Sequence, residues 1–146
     1  MSQIPSLADW GHVDHADLDA RWTFDTFLGK SFAEAEAMFE SHALYYQEGL
    51  QSMPPVPFNF YARAFVKYIT SDRAQGDSDG ASSFLYLVCW LLKSNRTIMD
   101  PETEKALLGA ARQISQRQEF YAADADIYGT FAERYAEIEQ LAAHGT

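Results

Sequence analysis

The feature that most constrains the fold is a run of nine residues, 84–92, without a charged or strongly polar side chain. A helix that is apolar on all sides is normally enclosed by other helices. Nine residues are far fewer than the roughly 20 needed to cross a bilayer. This run therefore predicts a buried central helix against which the rest of the chain packs.

The rest of the chain shows amphipathic helical periodicity and no alternation of the kind that predicts strands. Apolar residues recur every three or four positions both before and after the central run. The last such segment starts at Ile127, with Gly129 as a weak point. Residues 1–20 are polar and acidic, which predicts a loosely held amino-terminal arm docked through Trp10. We predict an all-α, single-domain helical bundle of five or six helices over residues 1–146.

Three helix starts carry capping signals. Ser31 is followed three residues later by Glu34, the spacing of a capping box. Asp100 precedes a proline and two acidic residues, as expected at a helix amino terminus. Either Asp77 or Asp79 can cap the central helix. These signals place the boundaries of three of the predicted helices.

The composition is strongly acidic: 21 Asp and Glu against 11 Lys and Arg give a formal net charge of -10. Phosphate recognition depends on Lys and Arg, so the charge argues against a nucleic-acid partner. It also disfavours an anionic membrane surface. A basic protein, or a cation, is the partner class that this charge favours, although an acidic surface that serves only solubility is the alternative.

Two predicted helices carry glutamate pairs at positions i and i+4. Such like-charged pairs cost a helix roughly 0.2–0.5 kcal/mol each, and no Lys or Arg lies within residues 31–62 to offset the pair Glu36 and Glu40. Glu133 and Glu137 form the second pair. A surface that keeps such repulsion indicates a basic partner. The predicted partner-binding residues are Glu34, Glu36, Glu40 and Glu48, with Glu133 and Glu137 second.

Two segments contain potential metal ligands without forming a complete motif. An EF-hand alignment of residues 75–80 supplies Asp77 and Asp79 but puts Tyr86 where a carboxylate is required. Helix capping explains these aspartates better. Residues 12–19 contain two histidines and three aspartates, which a solvated arm explains without a specific site. We predict no metal and no cofactor.

No catalytic motif is present, and we predict no catalytic residue. Cys89 is the single cysteine, and its apolar surroundings would raise rather than lower its pKa. A small-molecule or metal-dependent enzyme is one alternative, and it should show a deep pocket where His42, Tyr45, Tyr46 and Glu48 converge. A structural subunit that self-associates, for example as a homodimer, is another and should expose an apolar patch.

Four short stretches carry a family resemblance: FLGKS at 27–31, EAEA at 34–37, ALYYQE at 43–48 and GDSD at 76–79. On these stretches the chain resembles a family of small uncharacterised bacterial helical proteins over about residues 24–90. The resemblance implies a bacterial source and a helical fold, with no catalytic residues to carry over. More loosely, the size, acidity and lack of motifs are similar to immunity proteins that neutralise basic toxins in interbacterial competition.

These observations lead to one functional expectation. The chain is expected to be an acidic protein-binding module, in particular an immunity protein that binds and occludes a basic toxin effector domain. The amino terminus has no basic segment followed by an apolar one, so no signal peptide is predicted and the cytoplasm is the expected compartment.

Overall fold

The structure, a computed structural model that describes residues 3–145, contains helices and no strand within that range. Six helices have ten or more residues, which confirms the predicted all-α fold of five or six helices. Positions 1, 2 and 146 of the predicted arm and domain lie outside the described residues. The helices are α1 (Leu7–Trp10), α2 (Leu18–Phe27), α3 (Phe32–Leu50), α4 (Pro55–Ile69), α5 (Ser78–Ser94), α6 (Pro101–Ser115), α7 (Ala125–Tyr128) and α8 (Phe131–His144).

Helix α5 contains the apolar run and is the central helix. It contacts α3, α4, α6 and α8, and its enclosed side chains include Phe84, Leu85, Leu87, Val88, Leu91 and Leu92. The prediction of burial on all sides is wrong at Tyr86, which is 65% exposed. The exposed ring of Tyr86 lies beside Arg134 of α8 and lines a cleft together with Leu44 of α3. None of the helices within residues 3–145 is long and apolar enough to span a bilayer.

The predicted capping residues occupy the helix starts. Ser31 Oγ accepts the backbone N–H of Glu34 at 3.0 Å, and the Glu34 carboxylate accepts the N–H of Ser31 at 2.8 Å. Asp77 caps α5 by accepting the N–H of Gly80 at 2.9 Å. Asp100 caps α6. Each cap satisfies backbone donors that have no partner inside the helix.

The carboxy-terminal segment departs from the expected single helix. Gly129, with a φ of 76°, ends α7, and α8 begins at Phe131. The backbone there adopts a conformation that favours glycine. Gln118 bridges the break by donating to the Gly129 carbonyl at 2.9 Å and accepting the N–H of Phe131 at 2.9 Å. The weak point predicted at Gly129 is therefore a helix boundary.

Trp10 lies in the region predicted as an arm and is 2% exposed. Its ring packs edge-on against Phe24, with ring centroids 5.6 Å apart, and lies 6.4 Å from the ring of Tyr61. The indole N–H has no hydrogen-bond partner among the described residues. The contact of Trp10 with the core is therefore apolar and aromatic.

Three buried tyrosines tie helix ends to the core through their hydroxyl groups. The Tyr61 hydroxyl lies 2.9 Å from the Phe27 carbonyl at the end of α2, and 2.8 Å from that of Lys30. Tyr121 donates to the Ile69 carbonyl at the end of α4, at 2.6 Å. Tyr68 similarly donates to the carboxylate that caps α5. These bonds satisfy groups that would otherwise be buried without a partner.

We expect alkaline pH to destabilise the protein partly through Tyr61. Burial raises the pKa of Tyr61 to about 12, from 10.0, so the folded state holds the proton more tightly than the unfolded state. The stabilisation is complete below pH 10 and is lost as the pH rises to about 12, an effect of about 3 kcal/mol at 1.36 kcal/mol per pKa unit. Urea unfolding at intervals between pH 9 and pH 12 measures it.

The Tyr61→Phe variant provides the comparison. Its free energy of unfolding should be about 1 kcal/mol lower than that of the parent at pH 8, because a buried hydrogen bond is lost. Its stability should then fall less steeply above pH 10. Equal slopes for the two proteins would show that Tyr61 does not contribute to the alkaline transition.

Candidate functional site

Helix α3 is interrupted at His42, whose backbone is extended, with φ −164° and ψ 76°. The His42 Nδ1 atom accepts the backbone N–H of Tyr45 at 3.3 Å. This is the arrangement of a helix cap, in which a side-chain acceptor satisfies the N–H three residues later. The second half of α3, residues 43–50, therefore starts as a new helix with its own direction.

The two halves of α3 make different contacts with α2 and α4. In the first half, Phe39 stacks on Phe65 of α4 with ring centroids 4.7 Å apart. In the second half, Thr23 of α2 donates to the Gly49 carbonyl at 3.2 Å. A Cβ atom at Gly49 would lie 2.8 Å from the ring of Phe27, so the glycine permits this close approach. The second half is thereby held against α2.

A cleft of about 260 Å³ lies between α2 and the second half of α3. We call it the α2/α3 cleft. Its acidic side chains are Asp19, in the first turn of α2, and Glu48, on α3. Its remaining lining residues are Trp22, Thr23, Gln47, Gln51 and Ser52. The lining therefore contains two carboxylates and no basic side chain.

The two carboxylates of the α2/α3 cleft are not balanced by the chain itself. Both Asp19 and Glu48 are exposed, and within residues 3–145 neither side chain forms an ion pair or accepts a hydrogen bond. Two uncompensated carboxylates on one concave surface produce a locally negative potential that attracts cations. The cleft is thus suited to a positively charged group.

A second cleft, also of about 260 Å³, lies on the other side of the same half-helix, against α5. We call it the α3/α5 cleft. Leu44 and Tyr86 provide much of its apolar surface, and they are 41% and 65% exposed. Gln47 and Gln51 line both clefts and stand between them. The other lining residues are Asp79, Ser82, Ser83 and Tyr128.

Aromatic rings extend the surface of the α2/α3 cleft. Tyr45 is 47% exposed and packs edge-on against Trp22, with ring centroids 5.2 Å apart. Exposed Trp and Tyr side chains are enriched at protein-binding sites because they offer a large rigid surface with little entropy to lose. We call the combined surface the α3 face. It consists of Asp19, Trp22, Leu44, Tyr45, Glu48 and Tyr86.

Glu36 and Glu40, two of the predicted partner-binding residues, form ion pairs within the chain. The Glu36 side chain is only 10% exposed and pairs with Arg73 and, at 3.8 Å, with Lys67. Arg73 also donates to Glu40 at 2.5 Å, and these bonds raise the pKa of the Arg73 guanidinium. The premise that nothing offsets the Glu36–Glu40 repulsion is wrong, because the fold brings Arg73 between the two carboxylates.

The other predicted glutamates have different surroundings. The backbone hydrogen bond from Ser31 lowers the pKa of Glu34, which serves as a capping residue. Glu137 pairs with Lys93 at 2.9 Å, and this bond lowers the pKa of Glu137. Glu133 is exposed and has no ion pair within the described part of the chain. Of the six, Glu48 and Glu133 have no ion-pair or hydrogen-bond partner for their carboxylates among the residues that the structure describes.

The four side chains that an enzyme was expected to bring together do not line one pocket, although the ring of Tyr45 contacts those of His42 and Tyr46, with centroids 5.6 and 5.0 Å apart. Glu48 lines the α2/α3 cleft, whereas His42 lines a different cleft of about 390 Å³. Tyr45 and Tyr46 pack against aromatic rings of α2. The four side chains therefore do not converge on one pocket.

The cleft that contains His42 is rich in ionisable groups, but these groups stabilise the fold. Arg73 pairs with Glu40, and Tyr68 donates to Asp77 at 2.6 Å. Burial is the main cause that raises the pKa of Tyr68, so its hydroxyl keeps its proton at neutral pH. His42 caps the second half of α3 through Nδ1. The arrangement does not indicate a general base.

The candidate metal ligands of the sequence are likewise used in local structure. Asp77 caps α5, and Asp79 accepts the hydroxyl of Tyr128 at 2.7 Å. In the amino-terminal region, Asp14 accepts a backbone N–H at 2.9 Å, and His15 packs edge-on against an aromatic ring. Across residues 3–145, no group of three His, Cys, Asp or Glu is placed to hold a metal ion. Burial raises the pKa of Cys89, which does not favour a reactive thiolate.

No family model, curated protein or solved structure matches this chain. Sequence reasoning missed Asp19, because it was assigned to the arm, and Tyr86, because it lies in the apolar run. The i, i+3 spacing of Asp19 and Trp22 places both on one face of α2, but nothing in the spacing places that face beside Glu48.

We expect the His42 cap to stabilise the half-helix that carries the site. His42→Ala should lower the free energy of unfolding by about 1 kcal/mol, because the N–H of Tyr45 loses its acceptor. His42→Asn keeps a side-chain acceptor at the cap, so its free energy of unfolding should fall by much less. Urea unfolding of the three proteins at pH 8 measures the difference. Equal losses in both variants would contradict a capping role.

Glu36 and Glu48 should differ in their effect on stability. Glu36→Gln should lower the free energy of unfolding by about 1–2 kcal/mol, because it weakens the ion pair between the nearly buried Glu36 carboxylate and the half-exposed Arg73. Glu48→Gln removes the same charge from an exposed position and should change stability by less than about 0.5 kcal/mol. Chemical unfolding of both variants provides the measurement. A loss in Glu48→Gln as large as that in Glu36→Gln would contradict the division between fold and surface glutamates.

Proposed function

We propose that this chain is an acidic protein-binding module that binds a basic protein through the α3 face. In its concrete form, the partner is the basic effector domain of a toxin, and the chain is an immunity protein that occludes it. One observation carries the proposal: Asp19 and Glu48 line the same cleft beside exposed aromatic side chains, and neither has a cationic partner within residues 3–145.

The division of the acidic residues supports this choice of surface. Glu36, Glu40 and Glu137 are matched by the chain's own Arg and Lys residues, so their charges are already balanced. The uncompensated charge of the chain therefore lies elsewhere, and Asp19 and Glu48 concentrate part of it on a concave surface. An ammonium or guanidinium group entering that cleft would find two acceptors without displacing an internal ion pair.

The whole-chain charge supports the choice of partner. At a net charge of -10, the protein attracts a basic partner over a distance of about one Debye length, roughly 8 Å at physiological salt. Such attraction accelerates association and selects against acidic partners. Two copies of this chain repel each other by the same argument, so a basic partner fits the surface better than self-association.

The test is affinity capture from a lysate of the source organism with three immobilised proteins. The parent should retain a basic protein, and the double variant Asp19→Asn/Glu48→Gln should lose most of it. The control Glu133→Gln/Glu139→Gln removes the same two charges from exposed positions of α8 and should retain the partner. With the purified partner, the association rate constant of the parent should fall by about tenfold or more from low to high salt.

Three outcomes would refute this function or its site. A captured partner that is neutral or acidic would refute the electrostatic basis. Equal capture by the parent and the α3-face variant, with loss in the α8 control, would move the binding surface to Glu133. An association rate constant that does not respond to salt would show that the acidic surface does not guide binding.

A further inference from the structure

The exposed apolar surface beside the acidic cleft identifies the kind of segment that the partner presents. Resting on the proposed function, we propose that the basic partner docks through an amphipathic, arginine-bearing segment. An apolar side chain of that segment occupies the α3/α5 cleft, and an arginine side chain enters the adjoining α2/α3 cleft.

Leu44 and Tyr86 form the exposed apolar surface that the partner segment would cover. Within the run of residues 84–92, Tyr86 is the one position classed as exposed, and its ring borders a cleft together with Leu44. Both side chains are large and apolar and leave 41% and 65% of their surface in water. Covering them with an apolar side chain gains about 25 cal/mol for each Å² removed from water. The partner segment therefore needs an apolar residue at this point.

The carboxylates and the aromatic ring next to this cleft indicate that the partner segment carries arginine. Gln47 and Gln51 separate the α3/α5 cleft from the α2/α3 cleft, which contains Asp19 and Glu48. Trp22 lines the same cleft as these two carboxylates. A guanidinium group can bind a carboxylate through two parallel hydrogen bonds and can stack on an aromatic ring. An ammonium group offers neither geometry. Carboxylates next to an indole ring therefore favour arginine.

The same face already binds one guanidinium from within the chain. The Arg134 guanidinium lies 5.0 Å from the centroid of the Tyr86 ring. Arg134 is not among the described residues that line the α3/α5 cleft, so this contact does not fill the cleft. A second copy of this chain would bring further negative charge to the face, so charge complementarity selects a basic segment as the occupant.

Synthetic peptides test the inference without knowledge of the natural partner. The first is an amphipathic peptide of about 14 residues with leucines at helical spacing and arginines elsewhere. The second replaces each arginine by citrulline, which is neutral and similar in shape. The third replaces each leucine by serine. Fluorescence anisotropy gives the affinities, and amide chemical shifts locate the binding surface on the protein.

The first peptide should bind with shifts centred on the α3 face, and the other two should bind at least about tenfold more weakly. Leu44→Ser and Tyr86→Ser should each weaken binding of the first peptide by about tenfold. Val56→Ser is the matched control, because Val56 is 52% exposed on α4 and lies outside the α3 face. It should change the affinity by less than about twofold. Circular dichroism confirms that the variants fold.

Other results would overturn the inference, and they can be told apart from failure of the proposed function. If the serine peptide binds as tightly as the leucine peptide and Glu48→Gln weakens both, the acidic module stands and the apolar anchor does not exist. If no peptide binds the α3 face, the inference fails, while lysate capture still tests the module. If the parent sediments as a dimer that Leu44→Ser dissociates, the cleft belongs to a homodimer interface.

Discussion

The fold depends on side chains that satisfy the backbone groups at helix ends from elsewhere in the structure. Tyr61 does so for α2 and Tyr121 for α4. Arg96 donates to the last carbonyls of α8 and also pairs with Glu104 of α6 at 3.0 Å. Terminal carbonyls buried without partners would each cost free energy comparable to a lost hydrogen bond. The helices can therefore end inside the bundle, which lets short loops join closely packed elements.

The same requirement shapes the surface proposed to bind a partner. His42 interrupts α3 and caps the half-helix that follows, so residues 43–50 run in a direction of their own. That direction places Gly49 against α2 and Leu44 beside α5, which opens one cleft on each side of the half-helix. An uninterrupted α3 would continue along the first half, with its side chains in a different register. The two clefts thus follow from a local break in backbone hydrogen bonding.

Much of the fold could be predicted because its signals are local. Ser31 with Glu34, Asp77 and Asp100 cap helices where the spacing placed them. The break at His42 could not be predicted in this way, since the residues around it keep helical periodicity across it. The candidate site was less predictable. Glu36 and Glu48 lie on the same predicted helix, yet one is nearly buried against Arg73 and the other is exposed beside Asp19.

The sequence by itself determined the helical class, most helix boundaries and the acidic character, because these depend on composition and on residues a few positions apart. Tertiary structure alone decided which acidic groups remain unbalanced. Arg73 is 33 residues from Glu40, and Asp19 and Glu48 come from different helices, so neither relationship exists until the helices pack. Packing also left Tyr86 exposed in a run whose other residues are buried or half-buried. Charge and exposure at a binding surface are properties of the assembled fold, because both depend on which distant side chains become neighbours.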